Sequence, residues 1–419
     1  MLQLLGFLGV VTLIIGLIHL YLWQRLVRDT LPRGRGRRIA SFAVLGLALL
    51  VPTAIVVPKA MSWLAWVGYI WLAVMFYLLV LLAVLEPPML VARVWLWLRR
   101  RAPARAPAAV PEPALVGAGR QDPPAPAGPP AAVERPGATA DHDLDRRRLL
   151  ARGAAIFAGL TAVGLTGYGV RTAFSTPRVD RVAIPLAKLD RRADGLRIAL
   201  IADIHLGRGL GRRHTERIVT IINGLDADIV AVVGDMVDGT VEELGPDAAP
   251  LRGLRSRYGT FFVTGNHEYY SGYEPWVDEV ARLGMRPLRN ERLEIVHRGG
   301  ALDLAGVNDV EGRRHGDGPD FARALHGRDP SRPVVLLAHQ PVQVFEAARH
   351  GVDLQLSGHT HGGQLIPFNL LVPLQQPIVS GLGTVNGTQV YVTDGVGFWG
   401  TPVRVGVPPE ITLVELHAP

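Results

Sequence analysis

Between Arg197 and Gln364 five short apolar runs each end abruptly in polar residues that could bind a metal. Leu196–Leu200 runs into Ala202-Asp203-Ile204-His205, and Asp228–Val233 runs into Gly234-Asp235. Thr260–Val263 leads to Gly265-Asn266-His267-Glu268, Pro333–Leu337 to His339, and Val352–Leu356 to Gly358-His359-Thr360-His361. Runs of Val, Ile and Leu cut off by Gly or polar residues read as buried strands. Ligands of α/β sheets bind beyond the carboxyl ends of such strands. The runs therefore deliver two Asp, one Asn and five His to one rim.

That donor set suits divalent transition metals. Imidazole favours Zn, Fe and Ni, and carboxylate or amide oxygen also accepts Mn and Mg. Thiolate sites are excluded because the chain has no Cys. A pair of ions about 3.5–4 Å apart needs one oxygen ligand between them. The carboxylate of Asp235, on the second strand, is the natural bridge. Asp203 and His205 alternate by two and leave a strand end on one side; together with His361 they could hold the first ion. Gly234, Gly265 and Gly358 stand beside ligands, where backbone must turn sharply or approach closely.

The ordered set D-x-H, G-D-x-x-D, G-N-H-E, a single His and G-H-T-H resembles the calcineurin-like metallophosphoesterases, over roughly Val182 to Leu416. The whole chain looks most like their membrane-attached bacterial branch, near the YkuE- and YaeI-type phosphodiesterases. The resemblance implies a four-layer α/β/β/α sandwich and a pair of divalent ions, Mn, Fe, Zn or a mixed pair. It implies metal ligands Asp203, His205, Asp235, Asn266, His339, His359 and His361, with Asn266, His339 and His359 on the second ion. It implies that His267 is the catalytic histidine, and that a metal-bridging hydroxide attacks a phosphodiester or pyrophosphate. Asp238 and Glu268 read as groups that support the ligands or start a helix. Asn308-Asp309 reads equally as cleft lining or turn, and Arg404 reads by default as a surface residue, the alternative being a positive group supplied to the site. His214, His297, His315 and His350 read as structural or solvated.

The elements that must hold this rim fall into two very different halves. Of the 419 residues 48% are hydrophobic, and nearly all of the first ninety are apolar. Residues 1–98 read as three membrane spans, Leu2–Trp23, Ile39–Val57 and Ser62–Leu85, with Leu90–Leu98 as an interfacial helix. A signal peptide competes for the first span, but no basic residue precedes it. Residues 99–147, rich in Ala, Pro and Gly, read as a disordered linker. Residues 148–172, which follow Arg146-Arg147-Arg148, read as a fourth membrane helix or a twin-arginine-like signal anchor. The phosphoesterase-like domain occupies 180–417.

The net charge of +7 belongs to span flanks rather than to a nucleic-acid surface. Six arginines from Arg25 to Arg38 sit between the first two spans, and more follow the third. Cytoplasmic flanks collect Arg. The expectation is a multi-pass protein of the cell membrane with its C-terminal domain extracytoplasmic. Its partners would be membrane lipid and a phosphoester substrate, lipid-linked or from the cell envelope, and not nucleic acid. The competing reading is a membrane sensor or scaffold with a metal-stabilised, idle domain. Oligomeric state is not legible.

Overall fold

The computed structural model describes residues 2–56, 62–101, 138–207 and 209–419. The chain divides into two units, one comprising Met1–Pro52 with Val74–Ala162, the other Thr53–Ala73 with Val163–Pro419.

The N-terminal part holds four long helices, α1 (Leu2–Trp23), α2 (Arg35–Val56), α3 (Ser62–Arg101) and α4 (Ala138–Ala173). All four are long and apolar enough to cross a membrane. In the first unit Arg25 pairs with Asp29 and with Glu86 of α3, and Arg152 of α4 donates to the carbonyl of Thr30. Two expectations change here. The stretch Leu90–Leu98 is no separate interfacial helix; α3 runs through Pro87 and Pro88 without a break. Helices in apolar surroundings tolerate Pro because neighbouring groups re-satisfy the freed carbonyls. The fourth helix also starts earlier than Arg148, at Ala138. The rest of the expected linker, 102–137, lies outside the described residues.

The second unit contains the sandwich. In chain order its elements are β1 (Arg178–Pro185), β2 (Leu196–Ile201), α5 (Arg212–Asn223), β3 (Ile229–Val233), α6 (Val241–Ala248), β4 (Thr260–Val263), α7 (Asn266–Ser271), α8 (Tyr273–Arg282), β5 (Arg286–Pro287), β6 (Glu291–His297), β7 (Gly300–Gly306), α9 (Phe321–Ala324), β8 (Val334–Leu337), α10 (Val344–Arg349), β9 (Leu354–Ser357), β10 (Gly381–Val385), β11 (Thr388–Val392) and β12 (Glu410–His417).

One sheet has the order β1-β12-β2-β3-β4-β5 and the other β10-β11-β9-β8-β7-β6. Strands β2, β3, β4 and β5 are mutually parallel, as are β7, β8, β9 and β11. Period-2 alternation decides what each strand face covers. Ile198, Leu200, Ala231 and Val233 point between the sheets, where they meet Leu304, Val335, Leu337 and Leu356. Ala199, Ile201, Val230 and Val232 point the other way, onto Ile218 and Ile222 of α5 and Trp276 and Val280 of α8. Ala305, Val334 and Leu336 of the second sheet face Phe321 of α9 and Ala347 of α10. Both faces of both sheets are covered, which explains why these strands read as unbroken apolar runs. The result is the expected four-layer α/β/β/α arrangement. The segments that follow the carboxyl ends of β2, β3, β4, β8 and β9 carry Asp203, His205, Asp235, Asn266, His267, His339, His359 and His361.

Candidate metal centre

The first backbone step past each strand end is tied to its neighbour. Asp203 N–H donates to Gly234 O at 3.0 Å, His205 N–H to Asp235 O at 3.1 Å, and Gly358 N–H to His339 O at 3.0 Å. These bonds hold the turns in conformations that side chains normally avoid. Asp203, His205, Asp235, His359 and His361 all have positive φ, between 47° and 73°. They are five of the ten non-glycine residues with positive φ among the described residues. The left-handed region costs an L-residue about 1–2 kcal/mol, so it persists only where the surroundings fix it. Gly265 shows how tight the packing is, because a Cβ there would strike the carboxylate of Asp235.

Six of the eight residues expected at the site gather into two groups. In one, His361 Nε2 lies 3.5 Å and His205 Nε2 4.0 Å from Asp203 Oδ1, with the two nitrogens 3.1 Å apart. In the other, His339 Nε2 lies 3.1 Å from Asp235 Oδ2 and 3.2 Å from His359 Nδ1. Asp235 links the two, since its Oδ2 is also 3.8 Å from His205 Nε2. Asn266 starts α7 and His267 follows it; His267 Nε2 stands 4.0 Å from Asp235 Oδ2 and its backbone N–H donates to Asp235 Oδ1 at 2.8 Å.

The donor chemistry fits cations. Asn266 Oδ1 is buried without a hydrogen-bond partner, a costly condition for an amide oxygen and the one a cation would relieve. His339 donates through Nδ1 to Val233 O at 2.9 Å, which leaves a lone pair on Nε2 facing Asp235. His205 Nδ1 donates to Asp238 Oδ1 at 2.8 Å, which likewise frees Nε2. Three carboxylates and five imidazoles packed so closely distort one another's protonation. Burial raises Asp203 to about 6, and burial opposes charge on His205, yet Asp238, Asp235 and Asp203 push it up to about 9. Burial and neighbouring imidazoles push His359 down to about 3 and His361 well below its usual range.

The groups around the ligands are as ordered as the ligands. Glu268 accepts from three backbone N–H groups, those of Gly265 at 2.6 Å, Met236 at 2.7 Å and Asp235 at 2.9 Å. It therefore fixes the turn that aims Asp235. Asp238 Oδ1 accepts from His267 Nδ1 at 2.7 Å as well as from His205. Burial would raise the Asp238 carboxyl, but these two rings hold it far below the carboxylate range. Asp309 caps the 3₁₀ turn at Val310–His315, in line with the turn reading, and accepts from Gln340 at 3.0 Å. His214 and His297 are buried outside both groups.

Arg404 overturns its expectation. It is 0% exposed, and its guanidinium donates to the carbonyls of Gly397, Asp394, Val407 and Pro408 and contacts His361 Nδ1 at 3.1 Å. The available signal is its isolation, for no other Asp, Glu, Lys or Arg occurs between Gly395 and Pro409. Asp394 is buried too, and its carboxylate lies 3.5 Å from the guanidinium of Arg178 as an ion pair.

Residues 196–363 match the calcineurin-like phosphoesterase family. An uncharacterized metallophosphoesterase of Helicobacter pylori is 42% identical over 260 residues, 61% of this chain and 68% of that protein. A zebrafish (Danio rerio) transmembrane protein with a metallophosphoesterase domain is 40% identical over 267 residues, 61% of each chain. The uncharacterized metallophosphoesterase YkuE of Bacillus subtilis is 27% identical over 290 residues, 66% of this chain and 98% of that protein. Fold, rim and these relatives lead to one conclusion: the chain belongs to the calcineurin-like phosphoesterases.

Proposed function

We propose that this chain is a membrane-anchored phosphoesterase that hydrolyses a phosphodiester or pyrophosphate at a centre of two divalent ions. The observation that carries it is Asp235, whose Oδ2 stands between the Asp203/His205/His361 group and the His339/His359 group. Asp203, His205 and His361 would hold one ion, Asn266, His339 and His359 the other, and Asp235 both. Such ions, when bound, withdraw charge from a phosphoester and make water a nucleophile near neutral pH.

The chain's own residues supply the rest. His267 is oriented by Asp238, so its Nε2 is turned toward Asp235 and is placed to protonate the leaving oxygen or to offset charge on phosphorus. Its side chain remains 15% exposed, enough for exchange of that proton with water. The ring of Tyr270 stands edge-on to it at 5.4 Å and limits its swing. Asp203, in turn, accepts from His359 N–H at 3.0 Å, so the two groups are held to one another by backbone as well as by Asp235.

The helices support a multi-pass topology. Arginines from Arg25 to Arg38, after α3 and before the apolar part of α4 would be cytoplasmic, and the domain that follows α4 would be extracytoplasmic. The domain boundaries are then 1–98 for the first three spans, 99–147 for the linker, 148–172 for the fourth span and 180–417 for the enzyme. A rim near a bilayer suits a lipid-linked or cell-envelope phosphoester. The test is hydrolysis of a chromogenic phosphodiester by the full chain in nanodiscs, with and without Mn. The reading predicts metal-dependent turnover that falls by about 10²–10⁴-fold in His267→Ala. Asp235→Asn should fall at least as far. Normal turnover in folded Asp235→Asn refutes it.

A further inference from the structure

The stretch that follows His361 is unusual for a water-facing loop. From Gly362 to Thr393 it contains no Asp, Glu, Lys, Arg or His. Two 3₁₀ turns, Phe368–Leu370 and Val372–Leu374, turn its apolar side chains outward. Leu370 is 72% exposed and Leu374 85%, and Leu371 and Ile366 are exposed as well. Leu13 and Leu49, in the spanning helices, are exposed to a similar degree. Scattered apolar residues on a surface are ordinary, but a cluster of this kind marks a contact.

The same unit shows what lies beside the cluster. Gln364, at its start, accepts from Trp399 N–H and donates to the carbonyls of Trp399 and Thr401. Trp399 is itself 58% exposed. Thr401 Oγ1 donates to the carbonyl of Tyr69 in α3 at 2.9 Å. Phe398 packs edge-on against Phe174, just past α4, at 5.3 Å, and Phe174 stacks on Trp66 of α3 at 5.8 Å. Arg404 N–H donates to the carbonyl of Gly169 in α4 at 3.0 Å. Trp66 and Tyr69 occupy the first turns of the span that begins at Trp63, where aromatic residues mark the membrane–water boundary. The apolar cluster is thus continuous with the ends of two helices at the level where a bilayer surface would lie.

We propose that Ile366, Leu370, Leu371 and Leu374, with Trp399, form a bilayer-contacting surface that sinks into the lipid headgroup region and holds the His359/His361 rim against it. Segments of this composition, apolar on one side and uncharged, enter roughly 5–10 Å into the headgroup and acyl boundary. A lipid surface is the occupant favoured by the continuity with α3 and α4. The inference stands independently of the hydrolase reading, and its test requires no turnover.

The absence of Cys makes the test direct. Leu371→Cys and, separately, Leu374→Cys in the full chain are labelled with an environment-sensitive fluorophore. Each is placed in nanodiscs of phosphatidylethanolamine and phosphatidylglycerol. Ser331→Cys is the reference, because Ser331 is exposed and precedes β8 at the opposite end of the strand from His339. The expected result is several-fold quenching at 371 and 374 by lipid carrying a nitroxide high on its acyl chain, with shielding from aqueous iodide. The label at 331 should behave in the opposite way. Iodide quenching at 371 and 374 equal to that at 331 overturns the proposal. Shielding from iodide and nitroxide lipid alike also overturns it, since protein would then cover the surface.

Discussion

Arg404 Nη2 lies 3.1 Å from Nδ1 of His361, and the same arginine is wholly buried. A guanidinium can only donate, so it favours a lone pair on Nδ1 and opposes a proton there. Burial brings the arginine down to about 10, which leaves it charged at neutral pH. Its other donors satisfy four carbonyls of the turns after β11.

Arg404→Met should therefore weaken both fold and site. Buried acceptors left unsatisfied cost about 1–3 kcal/mol each, so a clear drop in thermal midpoint is expected. Groups that orient a metal ligand are worth about 10–100-fold in metal affinity, and calorimetric titration with Mn should show a loss of that size. Arg404→Lys, which reaches fewer of the five partners, should fall between. Unchanged Mn affinity in a folded Met variant would mean that Arg404 serves packing alone.

Glu268 is expected to act through backbone rather than through metal. Burial and the charge of Asp235 raise its carboxyl to about 7, while the N–H groups of Gly265 and Met236 favour the ionised form. Glu268→Gln replaces one accepting oxygen with a donor that faces N–H groups. We expect about 10–100-fold weaker metal binding without loss of secondary structure, measured by titration and circular dichroism. Unaltered binding would remove Glu268 from the site's support.

How far the site could be read from sequence follows from how it is built. The candidate ligands that follow β2, β3, β4, β8 and β9 are legible because each lies within a few residues of the end of an apolar run, and parallel strands end at one edge. β1 and β10 are not legible, since Arg-Val-Asp-Arg-Val and Gly-Leu-Gly-Thr-Val carry no buried stripe. Arg404 hides for another reason. Its partners are carbonyls and a ring nitrogen as far off as His361, so nothing adjacent in sequence marks it as buried. Likewise the three N–H groups that Glu268 gathers belong to two different turns. The positive φ of the ligand residues is a property of packed turns, and residue type alone does not announce it.

Acid should reveal His214. Its Nε2 is buried without a partner, and burial together with Arg217 and Arg404 pushes its pKa down to about 4. The unfolded chain takes the proton near 6.5 and the folded chain only near 4, so stability is complete above 6.5 and falls as pH drops through that window. At most roughly 3 kcal/mol is lost there, by the difference between the two values. His214→Gln should flatten the decline of the thermal midpoint with acid. Parallel pH profiles for the two proteins would contradict this.

The central claim is that Asp235 joins two cations. Anomalous diffraction from crystals of the Mn-loaded chain tests it most directly. The account predicts two peaks at the rim, one against Asp203, His205 and His361, the other against Asn266, His339 and His359, with the Asp235 carboxylate touching both. In Asp235→Asn crystals at least one peak should be lost. A single peak in the Mn-loaded native chain, or none at this rim while the protein still turns over phosphodiester, would contradict it.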